Sequence, residues 1–191
     1  MLDAALLLAV AGAAAPAAAP ERQMLHVFKA ACSRIGDDIE PVKADAVKAG
    51  WTPMPDSGDP RIARLTKMGR EAVEKDGTAI GANFRRSLGG RDIFLIVSRY
   101  QDKSGFWGSG CRLYHFEAAR PLDAKLLEAW MGRLPTGVQE PSPGLSKRLW
   151  EPSGWREGIT VEVSHVPQDH PLGQQFGLSG NILTAQAIGG F

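Results

Sequence analysis

The chain has 191 residues, 43% of them hydrophobic and 23% charged, enough to bury a core and inconsistent with disorder. Its 22 basic and 21 acidic residues leave a formal net charge of +1, which argues against a nucleic-acid-binding surface or a polybasic membrane segment. Only Cys32 and Cys111 carry thiols, too few for a disulfide scaffold, so a packed core must do most of the stabilising.

Residues 1–19 open with a short apolar run, Ala4 to Val10, followed by small residues and Pro16. That is the layout of a secretory signal peptide, although Asp3 stands where a basic residue is the rule. Ala15 and Ala17 are the small residues that suit a cut after Ala17. A spanning helix needs about 20 predominantly apolar residues, and this stretch dilutes into Ala, Gly and Pro halfway along. The expectation is a periplasmic or secreted protein, without stable membrane insertion after cleavage, whose residues 20–191 form a single domain. Export also allows Cys32 and Cys111 to persist as a disulfide.

Pro20 to Ile35 reads as a helix, because Met24, Leu25, Phe28, Ala31, Cys32 and Ile35 recur at three- and four-residue spacing. A short helix is expected from Pro41 to Ala49, stopped by Gly50, and Thr52-Pro53-Met54 begins a loop. Asp59-Pro60 reads as the cap and first residue of a third helix to about Lys75, with Ile62, Leu65, Met68 and Val73 on its apolar stripe. Gly69 weakens that helix. The period then changes to two. Ala79 to Leu88 and Asp92 to Tyr100 flank Gly89-Gly90-Arg91 as a hairpin, and Ile93 to Val97 is apolar on both faces, as in a central strand. Trp107 to Glu117 forms a third strand, with Cys111, Leu113 and His115 on one side and Arg112, Tyr114 and Phe116 on the other.

Pro121 is expected to open a helix carrying Leu122, Leu126, Leu127, Trp130 and Leu134, closed by Pro135. Strands follow at Leu145 to Trp150, Gly158 to Val166 and Gly177 to Ile188. Short turns between neighbouring strands imply antiparallel pairing. The expected fold is α+β: an antiparallel sheet of about five to six strands, N-terminal helices, and one helix inserted between two groups of strands.

No assembled catalytic signature accompanies this fold. His165, Asp169 and His170 are the one cluster of potential metal ligands, a donor set suited to zinc. His165 is also in phase with Ile159, Val161 and Val163, which suits a core-edge histidine. Ser109 lies in Gly108-Ser109-Gly110 and Ser179 in Gly177-Leu178-Ser179-Gly180, and neither makes a nucleophile elbow. Arg85, Arg86, Arg91, Arg99 and Arg112 fall on neighbouring strands, and guanidinium groups grip carboxylate or phosphate. Arg85, Arg99 and Arg112, with Trp155 as an exposed ring, are the candidate anion or ligand contacts. Replacing Arg85 or Arg86 singly is expected to change stability by no more than about 0.5 kcal/mol.

Phe28 ahead of Cys32, Gly50-Trp51, Trp107 ahead of Cys111, and Trp150 in the last third make a spaced pattern. With the apolar leader, the pattern resembles small exported proteins of Gram-negative bacteria. The resemblance implies a structural role for the cysteines and an extracytoplasmic address, and it transfers no activity. The functional expectation is a non-enzymatic periplasmic domain that binds a small molecule or protein partner through one face of its sheet, without a cofactor or nucleic acid. The alternative is a metal-dependent or other hydrolase using His165, Asp169 and His170.

Overall fold

A computed structural model describes residues 18–191; the signal-peptide reading and its cut after Ala17 lie outside the described residues. The first helix, α1 (Ala18–Cys32), is followed by α2 (Glu40–Lys48), a three-residue strand β1 (Thr52–Met54) and α3 (Pro60–Val73). Then come β2 (Gly77–Leu88), β3 (Arg91–Asp102), β4 (Trp107–His115) and α4 (Ala124–Met131). The chain ends with β5 (Gly137–Ser142), β6 (Leu145–Trp150), β7 (Thr160–Val166), α5 (Pro171–Phe176) and β8 (Gly180–Gly189). All strands join one antiparallel sheet in the order β1-β2-β3-β4-β8-β7-β6-β5. Two four-stranded meanders therefore meet at the β4–β8 pair.

The sheet has eight strands rather than five to six. The additional ones, β1 and β5, are its two edges, and each contains a proline, Pro53 and Pro141. Proline lacks the N–H a central ladder needs, but an edge strand can turn that position outward. Turn chemistry in the sequence therefore concealed both edges, and it also keeps them from templating another chain. Helix α4 needs a second correction. The Asp123 carboxylate caps it by accepting from the Leu126 N–H at 2.8 Å, and Gly132 ends it at φ 72°. Pro121 thus precedes the helix, and Leu134 lies beyond it, 70% exposed rather than on the apolar stripe.

Helices α1, α2 and α4 cover one face of the sheet. The stripe expected on α1 is buried, and it packs with Leu95, Val97, Leu113, Val161, Leu183 and Ala185 in the larger core. Cys32, at the end of α1, is bonded to Cys111 in β4 with the Cα atoms 5.6 Å apart. The bond ties the helical layer to the middle of the sheet. The tight turn at Gly89-Gly90 joins β2 and β3, and both glycines have positive φ (57° and 78°), as a two-residue turn matched to strand twist requires. On the opposite face α3 lies over β2 and β3, around a smaller cluster of Ile62, Phe94, Ile96, Tyr114 and Phe116.

Arg85 and Arg86 separate in the way strand alternation requires. Arg85 stands opposite Phe94, exposed, with Asp92 at 3.8 Å. Arg86 stands opposite Ile93 on the helical face, and its guanidinium donates to the Ala49 carbonyl at the end of α2. A cation at a helix C-terminus is well placed, and a charged hydrogen bond contributes about 1.5–3 kcal/mol. Arg86→Ala should therefore cost about that much in urea unfolding, and Arg85→Ala no more than about 0.5 kcal/mol. Equal midpoints for the two variants would refute the difference.

Candidate functional site

Strand register determines what the α3 face can hold. Gly81, Ser98, Gly110 and Gln186 stand side by side across β2, β3, β4 and β8. The next row on one side is Asn83, Ile96, Arg112 and Thr184; on the other it is Ala79, Tyr100, Gly108 and Ile188. Three glycines and a serine on this face leave a trough, because side chains that would fill it are missing. Helix α3 roofs it with Leu65, Thr66, Gly69, Arg70 and Val73, enclosing a cavity of about 500 Å³. That volume lies in the range of small-molecule sites.

The glycines differ in what a side chain would meet there. A Cβ at Gly81 would lie 2.6 Å from the Val97 carbonyl oxygen, so strand packing demands glycine there. A Cβ at Gly110 would collide with the Arg112 guanidinium, which lies over that α-carbon. At Gly108 the nearest atom to a Cβ is an Ile188 methyl at 3.7 Å, an ordinary contact, so a side chain can be added there without displacing a neighbour.

Two arginines that line the cavity, Arg99 and Arg112, have no acidic partner among the described residues, and of these Arg112 rises from the α3 face. Arg70 is paired with Asp56 at 2.7 Å, and Asp56 also accepts from the buried Asn83 amide at 2.7 Å. Glu162 shares the row of Arg112 but lies two strands away, about 10 Å at ordinary strand spacing. It is already held by Lys147 at 2.6 Å and by the Ser164 hydroxyl at 2.9 Å. Arg112 donates to Ser98 Oγ at 3.3 Å, and among the described residues it has no ion-pair partner. Burial also pushes the phenol of Tyr114, a further lining residue, above its ordinary pKa, so it remains a neutral hydroxyl.

Of the other residues singled out by sequence, Arg99 and Ser109 also reach the cavity lining, and the rest lie elsewhere. Arg85 is at the exposed end of the sheet. Arg99 alternates to the helical face, where it donates to Gln101 Oε1 at 3.0 Å. The Trp155 ring is half-buried against Phe28 and Trp130, at centroid distances of 5.9 and 5.2 Å, with the Lys29 ammonium above it. Ser109 is buried, and the Ser179 hydroxyl donates to the Phe116 carbonyl. Asp169 and His170 occupy the turn before α5, while His165 points into the helical face. Among the described residues no group of three or more His, Cys, Asp or Glu is placed to hold a metal ion. Sequence reasoning missed the glycine row and Ser98. Gly108 and Gly110, two residues apart within a strand, were the available signal, since glycine at strand period marks close approach or missing volume.

His115, Asn181, His165 and Ser146 form a polar row on the helical face, across β4, β8, β7 and β6. The Asn181 amide nitrogen donates to the Arg120 carbonyl, so its oxygen faces His165 Nδ1 at 2.9 Å and makes that nitrogen the donor. Burial lowers the pKa of both histidines; Arg91 lowers that of His115 further, while Glu117 opposes, as does Asn181 for His165. The unfolded chain then binds more protons than the folded one once the pH falls below about 6.5. Stability should be full above that pH and decline on acidification towards the depressed folded values. Urea midpoints at about pH 7.5 and about pH 5.5 test this, and His165→Gln should flatten the difference. A midpoint that rises on acidification would contradict it.

Comparison with known proteins finds no family model, no curated protein and no solved structure that matches the chain.

Proposed function

We propose that this protein is an exported, non-enzymatic binding domain whose ligand occupies the cavity between α3 and the sheet, anchored on Arg112. The observation that carries the reading is an arginine without an acidic partner, set in a cavity of about 500 Å³ whose floor is cleared by glycines. A buried or half-buried cation without a counter-ion is costly, and a ligand anion offsets that cost. Export is supported by the leader-like composition of residues 1–19 and by the Cys32–Cys111 bond. No helix among the described residues is long and apolar enough to cross a membrane.

Anilinonaphthalenesulfonate, an apolar dye with one negative charge, is a direct probe. Under native conditions it should bind at one site with enhanced fluorescence. Gly108→Leu projects a side chain from the floor and should abolish binding without lowering the melting temperature. Unchanged dye binding by a folded Gly108→Leu protein would remove the cavity from consideration.

A further inference from the structure

We infer that the ligand is an amphipathic monocarboxylate, an aromatic or aliphatic body whose single carboxylate rests on Arg112; this depends on the cavity being the binding site proposed above. Three observations select that class. The first is charge. The cations that line the cavity are Arg70, Arg99 and Arg112. Arg70 is neutralised by Asp56, and Arg99 starts from the opposite face of β3 and is engaged with Gln101. Gln101 is neutral, so Arg99 also lacks an acidic partner among the described residues, but Arg112 is the one such cation that rises from the cavity's own face of the sheet, and it matches one negative charge. A phosphate monoester would bring a second charge into a largely apolar enclosure, where the other arginine without an acidic partner, Arg99, rises from the opposite face of β3.

The second is geometry. The guanidinium lies over the Gly110 α-carbon and donates to Ser98 Oγ, so one broad side is backed by the strand. Its remaining N–H groups lie in the guanidinium plane, in the fork that matches the two oxygens of a carboxylate. The third is the lining. Leu65, Val73, Ile96, Phe106 and Ile188 supply apolar walls from α3, β3, the turn before β4, and β8, suited to a hydrocarbon body and not to a sugar or a peptide backbone.

Gly110 makes the test specific. The atoms nearest to a methyl group at this position are all at the far end of the Arg112 side chain, which can move. Gly110→Ala therefore keeps the charge and displaces it, whereas Arg112→Gln removes it. The probes are naphthoate, naphthamide and naphthyl phosphate, each titrated against the dye-loaded protein and by calorimetry. Naphthoate should bind at least about tenfold more tightly than naphthamide, the scale of one charge-assisted fork. Both variants should erase that advantage, so that naphthoate and naphthamide bind each variant with equal affinity. Retention of the advantage in Gly110→Ala would show general attraction rather than a positioned fork, and would overturn the assignment.

Naphthyl phosphate binding as tightly as naphthoate, or naphthamide equalling it, would overturn the monocarboxylate class while leaving the cavity as the site. Failure of all three to displace a dye that does bind would overturn the class in the same way. Failure of the dye itself to bind would instead remove the underlying proposal.

Discussion

Replacing Cys32 and Cys111 together with alanine should lower unfolding free energy by up to about 4–5 kcal/mol. The two residues are separated by 79 positions, and a loop of that length corresponds to roughly that value in the chain-entropy model. Measured losses for native disulfides run from about 2 to 5 kcal/mol, because the unfolded chain retains structure. Against a typical domain stability of about 5–15 kcal/mol, this is among the largest single effects in the molecule. Both sulfur atoms are fully buried where the end of α1 meets β4, so part of the loss in the double alanine variant will be packing. Reduced wild-type protein separates the two contributions, since it keeps the sulfur atoms and loses only the bond. Urea unfolding of all three forms is the measurement. A reduced protein within about 1 kcal/mol of the oxidised one would show that the bond fastens a structure already held by its core.

The features legible from sequence are those determined by near neighbours. The α1 stripe, the glycine turn between β2 and β3, the Asp59 cap and the alternation of β4 depend on residues a few positions apart, and the fold contains each of them. The pairing of Cys32 with Cys111 is long-range but was visible because the chain has no third cysteine. The cavity is different in kind. Its floor is one residue from each of β2, β3, β4 and β8, with Gly81 and Gln186 more than a hundred positions apart. Register sets which residues share a row and a face, and a one-residue slip would exchange the roles of neighbours. Arg99 and Arg112 illustrate this: a sequence places both on adjacent strands, and only the pairing Arg99–Ser109 and Ile96–Arg112 sends them to opposite faces. Arg86 likewise reads as a surface residue until the end of α2 is brought against it. The edge strands were hidden for the reverse reason, because their prolines carry a strong local signal that the sheet edge tolerates.

Trp150→Ala should be the most damaging single substitution on the helical face, at about 3–5 kcal/mol. The ring is fully buried, opposite Val161, and its Nε1 donates to the Arg133 carbonyl at 3.1 Å. Arg133 follows the Gly132 stop of α4 and itself donates to the Pro152 carbonyl, so the indole holds together the exit of the helix and the turn after β6. Truncation opens a ring-sized cavity and strips the Arg133 carbonyl of its donor, and the two losses reinforce each other. Trp150→Phe keeps most of the apolar volume, loses the hydrogen bond, and should cost closer to about 1–3 kcal/mol. Equal losses for the two variants in urea unfolding would mean that the hydrogen bond, not the ring volume, carries the effect. Trp150 points away from the α3 face and lies three strands from Arg112, so the folded fraction of either variant should bind anilinonaphthalenesulfonate with wild-type affinity. A weakened dye site in fully folded Trp150→Phe would mean that the two faces of the sheet are mechanically coupled through β7 and β8.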